Sequence, residues 1–488
     1  MADTVIVVGA GPAGLMLACE LRLGGVEVIV LDRLKQPTGE SRGLGFTART
    51  MEVFDQRGLL HRFGEIETSA VGHFGGLPVD FSVLNGAHFG AKGIPQSLTE
   101  EILAGWAVEL GADIRRGWTL TDLHDRGTNV DAEVQTPDGA VVLSGSYLVG
   151  CDGGRSTVRK LAGFDFPGNA ATMEMFLADV KGCDLRSRMI GESLPGGMVM
   201  AGPLGDGVDR IIVCERGTPP RQRTEPASFA EVAAAWERLT GEDISRGEAV
   251  WVSSFGDAAR LATEYQRGRV LLAGDAAHIH LPAGGQGMNA SIQDAVNLGW
   301  KLAAEVSGWA PPALLGTYHS ERHQVGDRLL MNTQAQGLLF LRGAEMQPLR
   351  DVLSELIRYE DVSRHLAGIV SGLEITYDVG EGDHPLLGRR MPHQEIVTES
   401  AKTSTTDLLH PAHGVLLDLC GDEELGKVAA GWTGRVDLVS GTLHDGRPGN
   451  PLAGLHAVLV RPDGYVAWAA PGSQDLSAAL ERWFGRPS

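Results

Sequence analysis

The segment that most constrains this chain is its first: Val5-Ile6-Val7-Val8, then Gly9-Ala10-Gly11-Pro12-Ala13-Gly14, then Leu15, Leu17, Ala18 and Leu21 at helical spacing. A continuous apolar run this short reads as a strand buried on both faces. The glycines permit a tight turn that lets backbone approach a pyrophosphate. The helix behind them offers free N–H groups and the positive end of its dipole. Val26 to Leu31 is a second buried strand, closed by Asp32, whose carboxylate suits the hydroxyls of an adenosine ribose. Together they specify a βαβ dinucleotide-binding unit, with Gly9, Gly11, Gly14, Asp32 and the adjoining Arg33 as its contacts.

Gly43-Leu44-Gly45-Phe46-Thr47-Ala48 also fits G-x-G-x-x-A, but no apolar strand precedes it, and it reads as a loop running into a helix. No second fingerprint is evident, so a nicotinamide cofactor would have to bind without a Rossmann domain of its own.

A chain of 488 residues calls for two or three domains. A net charge of −20 disfavours nucleic acid and anionic membrane surfaces as main partners, since both would repel it. Five scattered cysteines (Cys19, Cys151, Cys183, Cys214, Cys420), with no CxxC pair, read as free thiols of a reducing cytoplasm. The first apolar run meets a glycine turn at once, as a strand does and a signal peptide does not. No run approaches the ~20 apolar residues of a membrane span.

Farther along, 112 to 151 alternates like strands around the Pro137-Asp138-Gly139 turn, and 170 to 265 holds further strands. Helical character dominates from Asn289 to Ser371. Gly380 to Pro392 reads as a linker, followed by a smaller unit with strands at Val415–Leu419 and Ala457–Arg461.

Two further motifs turn a dinucleotide into FAD. Cys151-Asp152-Gly153-Gly154-Arg155-Ser156-Thr157-Val158-Arg159 follows the strand Tyr147 to Gly150. Gly274-Asp275-Ala276-Ala277-His278 follows the strand Val270 to Ala273. Then Pro282-Ala283-Gly284-Gly285-Gln286-Gly287-Met288-Asn289 leads into a helix carrying Asp294 and Asn297. A carboxylate at a strand end suits a ribityl hydroxyl, and a glycine turn lets a flat ring lie on backbone. The helix N-terminus behind it favours the negative charge of a reduced flavin. No metal site is expected, because His278-Ile279-His280 has no acid or cysteine at metal-site spacing. A G-x-S-x-G elbow is also missing, which argues against a serine hydrolase.

This trio of motifs, in this order, resembles the group A flavoprotein aromatic hydroxylases of the para-hydroxybenzoate hydroxylase type, over residues 1 to about 380. The resemblance implies FAD contacts at Gly9, Gly11, Gly14, Asp32, Arg33, Arg42, Gln96, Asp152, Gly153, Asp275, Pro282, Gly285, Gly287, Met288 and Asn289. Asp32 stands where the family usually has glutamate. Arg42, Pro282 and Gly285 are the implied catalytic positions. The segments 40–60, 189–200 and 280–289 are similar to flavin hydroxylases of aromatic polyketide pathways, above all the angucycline 12-hydroxylases.

The implied fold is α/β. A Rossmann-like FAD domain (1–72, 96–166, 267–380) carries an inserted, mostly antiparallel substrate domain (73–95, 167–266). A linker (381–392) leads to a thioredoxin-like domain (393–488) in which Cys420 has no CxxC partner. The implied activity is hydroxylation of a polycyclic phenol with O₂ through a flavin C4a-hydroperoxide, consuming NADPH in preference to NADH. Related hydroxylases are often dimers, and a homodimer is implied on that ground alone. Two alternatives stay open: a flavin reductase or dehydrogenase that inserts no oxygen, and a non-enzymatic FAD-binding module.

Overall fold

The computed structural model describes residues 4–65, 67–84, 86–221, 223, 225–445, 449–472 and 475–488. Its first core is a six-stranded sheet in the order Gln266–Arg267, Val270–Leu272, Tyr147–Gly150, Thr4–Val8, Glu27–Asp32, Asp113–Arg116. All pairs are parallel except the edge pair of Gln266–Arg267 with Val270–Leu272. The strand Thr4–Val8 is buried along its whole length, as a strand covered on both faces must be.

Register carries the functional consequence. Leu31, Val8, Gly150 and Leu272 form one row across four adjacent strands. Their successors Asp32, Gly9, Cys151 and Ala273 therefore stand level at the carboxyl edge of the sheet. Three motifs far apart in the chain become one line, at the edge where open α/β sheets bind ligands.

A five-stranded antiparallel sheet runs in the order Arg188–Leu194, Gly197–Gly205, Val208–Glu215, Glu174–Lys181, Glu248–Gly256. One face packs on the helix Phe229–Thr240, which opens with a Ser228/Glu231 capping box and ends on left-handed Gly241. Phe176, Ala178, Val180, Val199 and Val213 meet the fully buried Trp236 there.

Residues 73–95 do not join that sheet, contrary to expectation. Val71–Phe74 and Leu77–Asp80 close on themselves as a separate hairpin, and Lys92–Pro95 pairs with Leu44–Phe46 instead. The reason is tertiary. Phe74, Val79 and Phe81 bury against Leu339, Ala367 and Val370, on the helices Gly316–Leu341 and Glu360–Ser371.

The C-terminal sheet runs Val436–Ser440, Gly414–Asp418, Ala457–Val460, Val466–Ala470, with only its first pair parallel, and helices Glu423–Ala429 and Leu476–Phe484 complete a thioredoxin-like unit. Cys420 sits just before the first of these helices, three residues ahead of Glu423 rather than of a second cysteine. Desolvation and the neighbouring Asp418 push its thiol above the usual range, which disfavours the reactive thiolate.

The composition of 381–392 reads as a linker, yet part of it is packed. Arg390 and Met391 are buried, Arg390 donates to Glu52 at 2.7 Å, and the Met391 N–H donates to the Gly464 carbonyl at 2.8 Å. The C-terminal hairpin tip Arg461-Pro462-Asp463-Gly464 is likewise sequestered. Arg57 and Arg49 donate to the Pro462 and Asp463 carbonyls, each at 2.8 Å, and Arg461 is bidentate to Glu321.

Candidate active site

At the pyrophosphate end, the chain itself demands two of the three glycines. A Cβ at Gly9 would lie 2.4 Å from the Cys151 carbonyl oxygen, and one at Gly14 would lie 1.9 Å from the Gly9 carbonyl oxygen. A Cβ at Gly11 would meet nothing within 4 Å. Gly11 precedes the helix Pro12–Leu23, whose N-terminus carries no side-chain cap. The donors there are left for an external group, and the open space at Gly11 fits one. Asp32 accepts from the Ala10 N–H at 2.8 Å and the Leu34 N–H at 2.7 Å, tying the glycine turn to the strand end. Each of its oxygens keeps a free lone pair. Arg33 is exposed beside it.

In the middle of the line, Asp152 and Asp275 behave differently. Asp152 accepts from Ser156 Oγ at 2.5 Å and from the Thr157 and Val158 N–H groups at 2.6 and 3.2 Å, so it caps the helix Thr157–Leu161. Gly153 follows in the left-handed region, with open space where a Cβ would stand. Asp275 is open to the cleft, and among the described residues no protein group hydrogen-bonds its carboxylate. The surrounding protein raises its pKa by desolvation, opposed by His278 and Arg42. A solvent-facing acceptor without a protein partner, inside a cleft, fits a hydroxylated ligand chain.

Arg159 was not singled out from the sequence, although it ends the second motif. Its guanidinium donates to the Ala276 and Gly154 carbonyls, both at 2.8 Å, and lies 3.8 Å from the Phe166 ring centroid. It thereby staples the Asp152 loop to the Asp275 turn.

At the ring end, Gly284 and Gly285 have φ of 67° and 66°, the left-handed region that favours glycine. Gly285 precedes the helix Gln286–Val306, again without a side-chain cap, and a Cβ there would project into open space. Pro282 is exposed on the same loop. Gly287 stands against His280, where a Cβ would lie 3.4 Å from Nε2. Burial pushes the His280 pKa down to about 4, so its ring is neutral at pH 7. Met288 packs close to Gly43.

Asn289 is fully occupied within the protein. It accepts from the Thr47 N–H at 2.9 Å and donates to the Gly285 and Gly45 carbonyls at 2.7 and 3.2 Å. Gln96 accepts from the Gly43 N–H at 3.1 Å and donates to Glu100 at 2.8 Å. These side chains fix the loop that carries Arg42, which is itself exposed.

The apolar cluster beside the ring-end loop has no counterpart among the sequence motifs. On the sheet face away from Trp236, Met198, Cys214, Met175 and Phe255 form one row across four strands. Met200, Ile212 and Leu177 form the next row on that face. The first row, with Met200 and Ile212 of the second, joins Leu281 and Ala283 of the glycine loop and Phe340 and Leu341 of the long helix. The result is a packed, methionine-rich apolar cluster against the ring-end loop, with Met175, Met198 and Cys214 buried, and methionine adapts to irregular shapes.

Among the described residues, two groups of ligand-type side chains approach one another: Asp55, His88 and His393, and Asp122, His124 and Glu133. In the first, the two rings stack face to face at 3.8 Å rather than converging on a point. Both lie outside the cleft line described here.

The fold and this line of glycine turns define an FAD-binding oxidoreductase. Residues 2–333 match the FAD binding domain family, and residues 384–487 match the C-terminal domain of aromatic-ring hydroxylases. The chain belongs to this family of FAD-dependent aromatic monooxygenases. It is 44% identical to the 12-dehydrotetracycline 5-monooxygenase/anhydrotetracycline 6-monooxygenase of Streptomyces rimosus, with 99% of each chain covered. It superposes with a TM-score of 0.98 on CabE, an aromatic hydroxylase from angucycline biosynthesis, at 68% identity and full coverage of both chains. BexE, of BE-7585A biosynthesis, matches at 65% identity and a TM-score of 0.95, with 99% of each chain covered. No helix among the described residues is long and apolar enough to cross a membrane.

Proposed function

We propose that this monooxygenase hydroxylates a large, flat, phenolic polycycle, an angucyclinone at C-12, using O₂ and NADPH in preference to NADH. The observation that carries the reading is the methionine-rich apolar cluster packed against the Gly284–Gly285 loop, which is read here as the ground of the substrate site. A broad apolar face fits a fused-ring substrate better than a small polar acid. The 68% identity to a hydroxylase from angucycline biosynthesis supports the substrate class.

In this reading Gly9, Gly11, Gly14 and Asp32, with Arg33 at the rim, receive the ADP half of FAD. Asp152, Gly153 and Asp275 receive the ribityl half, and Gln96 and Asn289 contact the cofactor as well as holding the loops that line it. Pro282, Gly285, Gly287 and Met288 frame the ring, with Arg42 on its other side. When bound, FAD supplies the redox chemistry that activates O₂ for transfer of one oxygen atom. The protein binds, orients and excludes water. The N-terminus of Gln286–Val306 favours negative charge beside the ring, and Leu281, Ala283 and Phe340 keep the reacting region dry. Glycines at 284 and 285 leave the wall free to move between nicotinamide and substrate encounters. The five free thiols suit a reducing cytoplasm, and a homodimer is proposed from the family alone.

The test is incubation with NADPH and an angucyclinone under ¹⁸O₂, reading product mass and position. One heavy oxygen at C-12 is expected. NADPH consumption without labelled product would favour the reductase reading instead.

A further inference from the structure

Beneath the Asp275 turn lies a buried carboxylate with no part in the steps above. Asp294, in the helix Gln286–Val306, is fully buried. It faces Arg322 Nε at 2.6 Å, His278 Nε2 at 2.7 Å and the Gly274 N–H at 3.0 Å. A lone buried carboxylate is strongly unfavourable, and these donors make it tolerable. Arg322 and His278 outweigh desolvation and hold its pKa below the usual carboxylate range.

The backbone that Asp294 grips is the residue immediately before Asp275. Gly274 leaves no room for a side chain: a Cβ would lie 2.8 Å from Ser291 Oγ and 3.2 Å from the Ala13 Cβ. The turn is therefore wedged between the two helices whose N-termini border the cleft, and Asp294 pins it there.

The network continues away from the cleft. Arg322 donates to Tyr377 Oη at 2.9 Å and to the Ala290 carbonyl at 3.2 Å. The Tyr377 ring packs against Tyr465 with centroids 4.3 Å apart, and the Arg461 guanidinium lies 5.3 Å from the Tyr377 centroid. Tyr465 and Arg461 belong to the hairpin of the thioredoxin-like domain. A continuous set of buried contacts thus runs from that domain to the turn carrying Asp275.

We propose that Asp294 and Arg322 are positioning residues that aim Asp275 at the cofactor, and that the redox-silent C-terminal domain governs FAD binding through Tyr377. The inference rests on the reading of Asp275 as a cofactor contact. Its test uses the full-length chain, measuring the FAD dissociation constant and the visible circular dichroism of bound flavin.

Asp294→Asn should weaken FAD about tenfold or more and change the flavin dichroism. Tyr377→Phe keeps the ring and removes only the hydroxyl, and should weaken FAD by roughly threefold. The double variant should lose less than the product of the two, as members of one network do. Trp236→Phe, in the far face of the substrate sheet, should leave the dichroism unmoved and controls for general loosening.

Asp294→Asn with unchanged affinity and dichroism would overturn the inference. If Asp294→Asn does not fold, an unchanged affinity in Tyr377→Phe overturns it equally. Asp275→Asn separates the two readings. If Asp275→Asn alone leaves affinity unchanged, the cofactor reading of that residue falls and the inference with it. If Asp275→Asn weakens FAD while Asp294→Asn does not, only the inference falls.

Discussion

Along the cofactor edge, Gly9, Cys151 and Ala273 stand level on adjacent parallel strands, and the groups on offer are mostly backbone. Beside the ring-end loop, the antiparallel sheet contributes Met198, Cys214, Met175 and Phe255, which are side chains in one row across four strands. Backbone recognition needs particular glycines at particular places, because a single Cβ closes the approach. Side-chain recognition of an apolar ligand needs only the right volume, which many residue sets supply. The first wall should therefore fail sharply on mutation, and the second should change gradually.

The largest effects should come from separating the two roles of glycine on the first wall. Gly14→Val drives a side chain into the Gly9 carbonyl and should destabilise the apoprotein by more than about 4 kcal/mol or prevent folding. A Cβ at Gly11 meets no atom of the chain within 4 Å, so the Gly11→Ala apoprotein should fold with a near-normal thermal midpoint. It should nevertheless lose roughly a hundredfold in FAD affinity, equivalent to about 2.7 kcal/mol of blocked contact. Equal losses of stability in both variants would break the distinction.

That contrast also explains what was legible in the chain before its structure. The βαβ unit could be read directly, since strand, glycine turn, helix and Asp32 are contiguous and each demands a residue type. The resemblance extends this to the architecture as a whole, including the C-terminal thioredoxin-like domain with its lone Cys420. The substrate wall could not be read as such, because Met175 and Met198 look like any core residues until strand order brings them into one row. Residues 73–95 read as part of the substrate domain, yet the hairpin Val71–Asp80 packs elsewhere, on Leu339, Ala367 and Val370, which lie more than two hundred residues away. The tasks of Asp152 and Asn289 were hidden for a similar reason. A carboxylate or amide in a motif gives no sign that it also accepts or donates within the protein, as both do here. Arg159 had a visible signal, the final arginine of its motif, but its work depends on the Asp275 turn folding alongside.

A second test takes the substrate sheet on the face away from the cleft. Trp236 is fully buried against Phe176, Val199 and Val213. Trp236→Ala should cost about 3–5 kcal/mol in denaturant unfolding, as large aromatic truncations do. FAD affinity should not change, because no motif of the cofactor edge touches this core. A coupled loss of FAD would show that the two walls do not behave independently.

A smaller effect should appear with pH at the junction of the two walls. His280 lies on the ring-end loop, and burial lowers its pKa from 6.5 to about 4. Between these values the unfolded chain binds a proton that the folded chain does not. His280 therefore subtracts stability as pH falls from about 6.5 towards 4, and its contribution is neutral above that window. His280→Gln should flatten the fall of thermal midpoint between pH 6.5 and 4.5. An unchanged slope would mean that other groups carry the acid sensitivity.

The smallest effects should come from the substrate wall itself, and they decide whether volume is what matters there. Met175 and Met198 flank Cys214 in one row, and the row joins the glycine loop through Leu281 and Ala283. Met→Leu nearly conserves volume while removing a flexible thioether, so Met175→Leu and Met198→Leu should each cost under about 1.5 kcal/mol of stability. FAD affinity should be unchanged, since no cofactor turn is altered. The substrate KM should shift by roughly three- to tenfold, because a stiffer side chain adapts less well to a rigid ring system. A KM that stays constant while product regiochemistry broadens would show that this row orients the substrate rather than binding it. A loss of FAD from either variant would instead show that the contact of this row with Leu281 and Ala283 passes its packing on to the cofactor loop.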